Sequence, residues 1–390
     1  QVESAPKTSN SNRGWIQFGS KNMYPLDLSN LYYNSVTHRA CCEFAATAIL
    51  GDGVDYEKMK IIGQEELMPN YNETWDDLIY NLALDYIIYG SYAIQIIKNK
   101  DDKTYSFYHQ PISDVRCSPK NEDGDIETYW ISSDWSALQK YPPVELKSFA
   151  FNEDDKITSG EPYLFVYNHY TPDLEYYWLP QYTSGIKAIQ TEIELLRYDL
   201  RSVTNNFSAS GVLSMNRIDD DEERKMVLEN IESIFQGSDN ANSLMITFKD
   251  NDSDNPVTFT RFDKDVNNVN LFESNNERTI AKIIAAHRIP SKQLIGFSSE
   301  NAMLGGTGNE LNVAYNLYNK TVANKNRRAI VSTINKMFKL NDVDVEVILK
   351  PLSFSVLEPT QIIDRDESIT EETEETYDNK NLEEKQTEFN

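Results

Sequence analysis

The first third of the chain predicts two helices separated by polar turn residues. Apolar and small residues predict a helix over about 28–50, which ends at Gly51, a residue type common after helix C-termini. A second helix is expected to begin in the acidic stretch 72–77, since carboxylates favour a helix N-terminus, and to stop at Gly90. The polar segment 1–24 is expected to be a flexible arm.

Period-two alternation of apolar and polar residues follows the second helix. It predicts a strand over 92–97 and, after a charged turn, a return strand over 104–109. Further β-like segments lie at 126–132, 144–150 and 162–169. Their spacing predicts a small antiparallel sheet beside the two helices, and therefore an α+β fold class.

A heptad seam then marks a change of architecture. Apolar residues alternate at spacings of three and four, and Gly211 ends the pattern: Ile186, Ile189, Ile193, Leu196, Leu200, Val203 and Phe207. Such a seam predicts a helix that packs either within its own chain or against a partner. Both alternatives stay open from the sequence.

The remaining pattern alternates short strands with helices. A strand at 212–215, a helix at 220–236 and strands at 243–249 and 256–262 predict a small α/β unit. The later elements are a helix at 266–288 that stops before a proline, a glycine-containing loop at 291–309, a long helix at 310–340 and a strand at 343–350.

Charge changes this picture in two places. The 390 residues include 37 Lys+Arg against 62 Asp+Glu, a net charge of −25, which argues against a protein that grips nucleic acid over its whole surface. The long helix 310–340 is the exception, with six basic residues and one acidic residue. The tail 361–390 is strongly acidic and poor in aliphatic residues, so it is expected to be disordered or ordered by neighbouring subunits.

Catalytic and metal-binding patterns do not emerge from the sequence. The four histidines have no metalloprotease spacing, and Cys41–Cys42 lacks the second cysteine pair of a zinc site. The loop 305–308 lacks the lysine of a P-loop. The acidic run 219–223 fits a helix N-terminus better than a calcium loop. We therefore expect no cofactor, no metal and no enzymatic activity. No run of 18 apolar residues indicates a membrane span.

Several short segments, in one order, resemble the portal (head–tail connector) proteins of tailed double-stranded DNA bacteriophages. The likeness covers about residues 25 to 350. It is seen at 85–93 (DYIIYGSYA), 109–116 (HQPISDVR), 285–296 (AAHRIPSKQLIG), Asn309–Glu310 and Tyr315–Tyr318.

The resemblance implies the parts of a portal subunit. They are a wing (25–183), two stem helices (184–210 and 263–290), a clip (211–262), a tunnel loop (291–309) and a long helix with the wing or crown base (310–360). It also implies a ring of about twelve copies at a capsid vertex, through which double-stranded DNA is packaged and ejected. Expected partners are the terminase large subunit, the head–tail adaptor and the major capsid and scaffold proteins. The protein is expected in the virion, and in the host cytoplasm during assembly, without membrane contact.

Site residues follow from these assignments. The tunnel loop is expected to touch DNA through Lys292, Ser298, Asn301, Gly305, Gly306 and Gly308. Basic residues of the long helix could contact the DNA backbone: Lys320, Lys325, Arg327 and Arg328. The stem is expected to pack through Ile186, Ile189, Ile193, Leu196, Leu200 and Val203. The clip is expected to dock its partners through Asp219, Asp220, Asp221 and Glu222.

Two other functions fit parts of the sequence. One is an enzyme that uses the acidic residues 219–223 as general acids or bases. The other is an acidic intracellular scaffold that oligomerises through the seam 186–207. Oligomer size separates them, because a portal predicts a large ring whereas a zipper scaffold predicts a dimer or trimer.

Overall fold

The structure is a computed structural model. It describes residues 2, 6–10, 13–59, 68–100, 104–152, 157–204, 211–218, 220–235, 244–249, 257–261, 266–297 and 309–352. Within these residues no helix is both long enough and apolar enough to cross a bilayer.

The N-terminal segment is anchored, which corrects the expectation of a flexible arm for the described part of 1–24. Strand β1 (Thr8–Asn10) pairs antiparallel with β2 (Ile16–Phe18). Phe18 is buried and stacks on Tyr177 with ring centroids 4.2 Å apart. The sequence pattern missed this because the anchoring aromatic residue lies about 160 positions further along the chain.

The first predicted helix is two helices, α1 (Tyr24–Asn34) and α2 (Val36–Leu50). Ser35 interrupts them because its backbone is extended and its Oγ accepts a hydrogen bond from the amide of His38, at 3.1 Å. Serine competes with the helix in this way when it serves as an N-cap.

The second helix, α3 (Trp75–Tyr89), is present as predicted. Thr74 and Asp77 form a reciprocal capping box at its start. Gly90 ends the helix in the left-handed conformation, at φ 81°. A Cβ there would lie 2.5 Å from the carbonyl oxygen of Leu179, so only glycine fits.

Six strands form the main sheet in the order β4-β3-β8-β7-β6-β5. Their ranges are Ser91–Lys98 (β3), Tyr105–Gln110 (β4), Val115–Cys117 (β5), Thr128–Ile131 (β6), Val144–Ser148 (β7) and Pro162–Asn168 (β8). All neighbours are antiparallel except β7 and β8, which pair in parallel over two residues. The prediction of a small antiparallel sheet is therefore correct apart from one pair.

The helix α4 (Ile186–Thr204) covers most of the predicted seam. A three-stranded sheet follows, with β9 (Gly211–Asn216) between β10 (Leu244–Lys249) and β11 (Val257–Arg261), and with α5 (Asp221–Phe235) between β9 and β10. Strand β9 is parallel to β10 and antiparallel to β11. The helix α6 (Val266–Ala286) comes next. Each element lies where the sequence pattern predicted it.

The long helix is present as α7 (Asn309–Tyr318), a π-helical turn (Asn319–Ala323) and α8 (Asn324–Leu340). It joins the core through Phe338, whose ring lies 4.7 Å from that of Trp75. It also contacts the sheet, where the Tyr92 hydroxyl lies 2.8 Å from the Thr333 hydroxyl.

The prediction of a regular strand at 343–350 is wrong. Among the residues that the structure describes, this segment pairs only through an isolated bridge between Leu349 and Val54. Lys350 exchanges backbone hydrogen bonds with the irregular segment 52–53, at 2.8 and 3.0 Å. An irregular partner has no continuous row of donors and acceptors, so a ladder cannot extend.

Candidate functional site

The helices α4 and α6 run antiparallel and meet closely at one end. A Cβ added to Gly185 would lie 2.6 Å from the Cβ of Ala286, so the crossing depends on glycine. Ile186, Ile189 and Ile283 are fully buried beside this crossing. The first half of the predicted stem seam therefore packs within the chain.

The second half of the seam is exposed in the single chain. Ile193 is half-buried, whereas Leu196 is 43% and Leu200 is 68% exposed. Val203 lies in the same helix, but its side chain is outside the described part of the chain. An amphipathic helix that leaves large aliphatic residues in water offers a surface for another protein.

A groove of about 750 Å³ separates the two helices on one side. Lys187 of α4 and Arg278 and Lys282 of α6 are exposed along it. The other described lining residues are polar or apolar, and none of them is acidic. In a chain with a net charge of −25, this groove concentrates positive charge and suits an anionic partner.

A buried carboxylate joins α4 to the N-terminus of α2. The carboxylate of Glu192 accepts hydrogen bonds from the Ser35 hydroxyl, from the Thr37 amide at 3.2 Å and from the Thr37 hydroxyl at 2.5 Å. Glu192 is buried despite its charge. The free amides and the positive dipole end of α2 compensate for this burial.

A buried histidine pair joins the end of α6 to α2. Nδ1 of His38 lies 2.9 Å from Nε2 of His287, and the ring of Tyr182 stacks on His287. Burial lowers the pKa of His38 well below its usual value and that of His287 to about 3, so both imidazoles are neutral. One ring therefore donates and the other accepts.

Cys42 lies beside this pair, with Sγ 3.7 Å from Nδ1 of His38, so the three side chains could in principle surround a metal ion. Two nitrogens bound to one tetrahedral zinc lie about 3.3 Å apart, because each Zn–N bond is about 2.0–2.1 Å. The observed 2.9 Å is a hydrogen-bond distance instead. Burial also raises the pKa of the Cys42 thiol, which opposes the thiolate that a metal needs. The geometry fits a structural hydrogen bond.

These buried polar contacts were not predicted from the sequence. His38 and His287 are 249 residues apart, and such a separation leaves no local pattern in the sequence. Cys41 and Cys42, whose sequence lacks the second cysteine pair of a zinc site, are both fully buried on α2.

The predicted DNA-backbone residues divide into two groups. Lys320, Lys325 and Arg328 are exposed. The guanidinium of Arg327 turns inward, where it donates to the carbonyls of Ile49 at 2.8 Å and Ala48 at 2.6 Å. These carbonyls lie in the last turn of α2, so Arg327 caps that helix.

The predicted loop and clip residues lie only partly within the described chain. Lys292 is exposed on a short 3-10 helix, Lys292–Ile295. Asp220 caps α5, because its carboxylate accepts from the amides of Glu222 and Glu223. Asp221 and Glu222 are exposed. Six predicted residues lie outside the described residues: Asp219, Ser298, Asn301, Gly305, Gly306 and Gly308.

Comparison with protein-family models gives no match, and comparison with curated proteins gives none either. Solved structures do match. A chain from the neck of an empty gene transfer agent particle, computed with C6 symmetry, aligns with a TM-score of 0.55 and 12% identity, covering 88% of this chain and 87% of that one. A chain from the native particle's neck, computed with C12 symmetry, aligns with a TM-score of 0.53 and 12% identity over 94% and 91%.

A chain from the virion of the native gene transfer agent particle aligns as well, with a TM-score of 0.53 and 11% identity over 89% and 88%. At this identity the likeness concerns the fold, and it extends over most of both chains. The chain has the mixed α+β fold found in the neck of these phage-like particles, which confirms the resemblance to phage portal proteins indicated by its sequence.

Proposed function

We propose that this chain is a portal-type subunit that forms a ring of about twelve copies at one capsid vertex. In that position the ring guides double-stranded DNA during packaging and ejection and docks the terminase motor and the tail adaptor. The observation that carries this proposal is the fold likeness to neck structures computed with C12 and C6 symmetry.

The surface of the chain supports a head-to-tail ring. In such a ring one face of each copy packs against a different face of its neighbour. The exposed end of the α4 seam, with Leu196 and Leu200, offers one apolar face for this contact, whereas the α4/α6 groove is cationic. A ring that buries the first surface between neighbours leaves the second available to an anionic ligand.

The charge distribution supports passage of DNA without tight binding. Affinity for DNA grows with each phosphate that is neutralised, so a continuous basic lining would hold the duplex. Here Lys187, Arg278 and Lys282 form a short cationic stretch in a chain with a net charge of −25. Contacts of this kind position a DNA backbone and read no sequence. We propose a mechanical role with no catalysis, in which a separate motor supplies the energy.

The first test is the native mass by mass photometry, together with negative-stain images. Twelve copies of 44.9 kDa give a ring of about 540 kDa with a central hole. A discrete dimer or trimer would instead support a scaffold that oligomerises through the seam. A monomer in the presence of assembled capsid components would overturn the portal proposal.

The seam variant Leu196→Ser with Leu200→Ser tests which surface holds the ring. We expect the large species to dissociate while the urea midpoint of the single chain stays unchanged, because both side chains are already exposed. The matched control is Leu317→Ser on α7, where the leucine is 52% exposed. If both variants remain as intact rings, the seam does not form the interface.

The groove is tested through the salt dependence of binding to a non-specific DNA duplex. Neutralising Lys187, Arg278 and Lys282 to glutamine should reduce the slope of log K against log salt by about 0.9 for each lost phosphate contact. A control that neutralises exposed lysines elsewhere should leave the slope unchanged; Lys140 and Lys225 serve for this. Equal slopes for all three proteins would exclude the groove as a DNA contact.

A further inference from the structure

A second groove, which we call the α8 groove, lies between α8 and the segment 343–350. Its volume is about 560 Å³. The described residues that line it are Arg327, Arg328, Val331, Ser332, Asn335, Lys336, Lys339, Val347 and Leu349. Asn335 ties the two walls together by accepting a hydrogen bond from the Val347 amide at 2.8 Å.

The α8 groove combines a cationic rim with an apolar wall. Arg328, Lys336 and Lys339 are exposed and lie on one face of α8, at spacings of eight and three residues. Val347 and Leu349 supply apolar surface on the opposite wall. None of the described lining residues is acidic. The chemistry that fits is an acidic peptide with a few aliphatic residues.

A segment of the same chain has this composition. Residues 363–390 include eleven acidic and three basic residues, and they lie outside the described part of the chain. Ile362 and Ile363 come directly before the first acids, Asp364, Asp366 and Glu367. The aliphatic pair matches the apolar wall of the groove, and the acids match its rim.

The described chain ends close to the groove, so the acidic segment is near enough to reach it. Leu349 forms part of the groove, and the described chain ends at Leu352, three residues later. Ten further residues reach Ile362 and can span up to about 35 Å when extended. The rim from Arg328 to Lys339 is only about 16 Å long, at 1.5 Å per helical residue. We propose that the acidic segment 362–375 folds back and docks in the α8 groove of its own chain.

This docking would cover the cations of α8 with the protein's own carboxylates. Lys336 and Lys339 would then be shielded from DNA and from other anions, while the α4/α6 groove would remain open. The inference does not depend on the portal proposal, because it concerns contacts within one chain.

The test is zero-length carbodiimide cross-linking of the full chain, which joins lysine amines to carboxylates in contact. Cross-linked chains are separated by mass on a denaturing gel, and linked peptides are mapped in the monomer-mass band. We expect links from Lys336 and Lys339 to acids of 364–375, lost in 1 M salt, where the screening length falls to about 3 Å. Lys320 and Lys325 are the internal control, because they are exposed on the same long helix outside the groove.

Tryptic cleavage after Arg365 gives a second, independent readout. Reversing the rim charges (Arg328→Glu, Lys336→Glu and Lys339→Glu) should speed this cleavage by about tenfold, the combined effect of three weak surface ion pairs. The control is Lys320→Glu with Lys325→Glu, which should leave the rate unchanged.

Three results would overturn the inference. Links spread evenly over Lys320, Lys325, Lys336 and Lys339 would show chance encounters. Links found only in the dimer-mass band would assign the groove to the tail of another copy. Equal cleavage rates in the rim and control variants would show that the rim does not hold the tail.

Discussion

Replacing Glu192 tests whether α4 is fastened to the body of the protein through the N-terminus of α2. In Glu192→Ala the Ser35 hydroxyl, the Thr37 hydroxyl and the Thr37 amide all lose their shared acceptor. These donors are buried, so water cannot simply replace the carboxylate.

The expected loss of unfolding free energy follows from three lost hydrogen bonds, and it is partly offset because a buried charge is removed. A hydrogen bond to a charged group contributes about 1.5–3 kcal/mol, and the dipole end of a helix contributes up to about 2 kcal/mol for a favourably placed anion. The bonds share one acceptor and are therefore not additive, and removing a buried charge also relieves its desolvation. We expect a net destabilisation of about 3 kcal/mol, which is in the range for breaking a buried pair. Glu192→Gln keeps one acceptor oxygen, so we expect about half of that effect.

The assay is urea unfolding followed by tryptophan fluorescence, combined with hydrogen exchange at the Thr37 and His38 amides. The matched control is Glu194→Ala. Glu194 lies on the same helix, is 69% exposed and pairs with Arg197 at 2.7 Å. A surface pair of this kind contributes less than about 1 kcal/mol. The reasoning is refuted if Glu192→Ala changes neither the unfolding free energy nor the exchange of these amides more than Glu194→Ala does.

Three further predictions concern stability. Arg327→Gln should cost about 1–3 kcal/mol by urea unfolding, because two buried carbonyls of α2 lose their donor, while Arg328→Gln should cost nearly nothing. Gly185→Ala should cost about 1–3 kcal/mol through its clash at the crossing, and a second change, Ala286→Gly, should restore the urea midpoint. Burial lowers the pKa of both histidines in the folded chain, so as the pH falls the unfolded chain binds protons before the folded chain does. The contribution of the histidine pair to the unfolding free energy is therefore complete above pH 6.5 and is lost as the pH falls toward 3. Below pH 6.5 the unfolding free energy of His287→Gln should therefore fall less steeply than that of the wild type, by about 1.4 kcal/mol per pH unit. Identical pH profiles for the two proteins would contradict this.

The sequence predicted most of the helices and strands because their signals are local. The heptad seam, the acidic start of α3 and the alternation in β3 are each read within one element. The prediction of a strand at 343–350 failed because the pairing of this segment depends on its irregular partner at 52–55. The prediction of a flexible arm also failed because of a distant partner, since Phe18 stacks on Tyr177.

The site shows the same division between local and distant information. Periodicity found the seam, and composition found the basic long helix, but neither could separate Arg327 from Arg328. These neighbours have the same charge and differ only in direction, because Arg327 meets carbonyls 278 and 279 residues away. A single sequence contains no measure of such distances.

The role of α2 follows from these distant contacts. Glu192 of α4 binds its N-terminus, His287 at the end of α6 bonds to His38 in its first turn, and Arg327 of α8 caps its C-terminus. Both predicted stem helices and the long helix are thus fastened to one helix by buried polar groups. Polar contacts of this kind are directional, so they fix the helices in register more tightly than apolar packing alone. A displacement of α4 and α6 must therefore either move α2, and α8 with it, or break buried hydrogen bonds. For the mechanical role proposed above, α2 would therefore couple a displacement of α4 and α6 to the long helix.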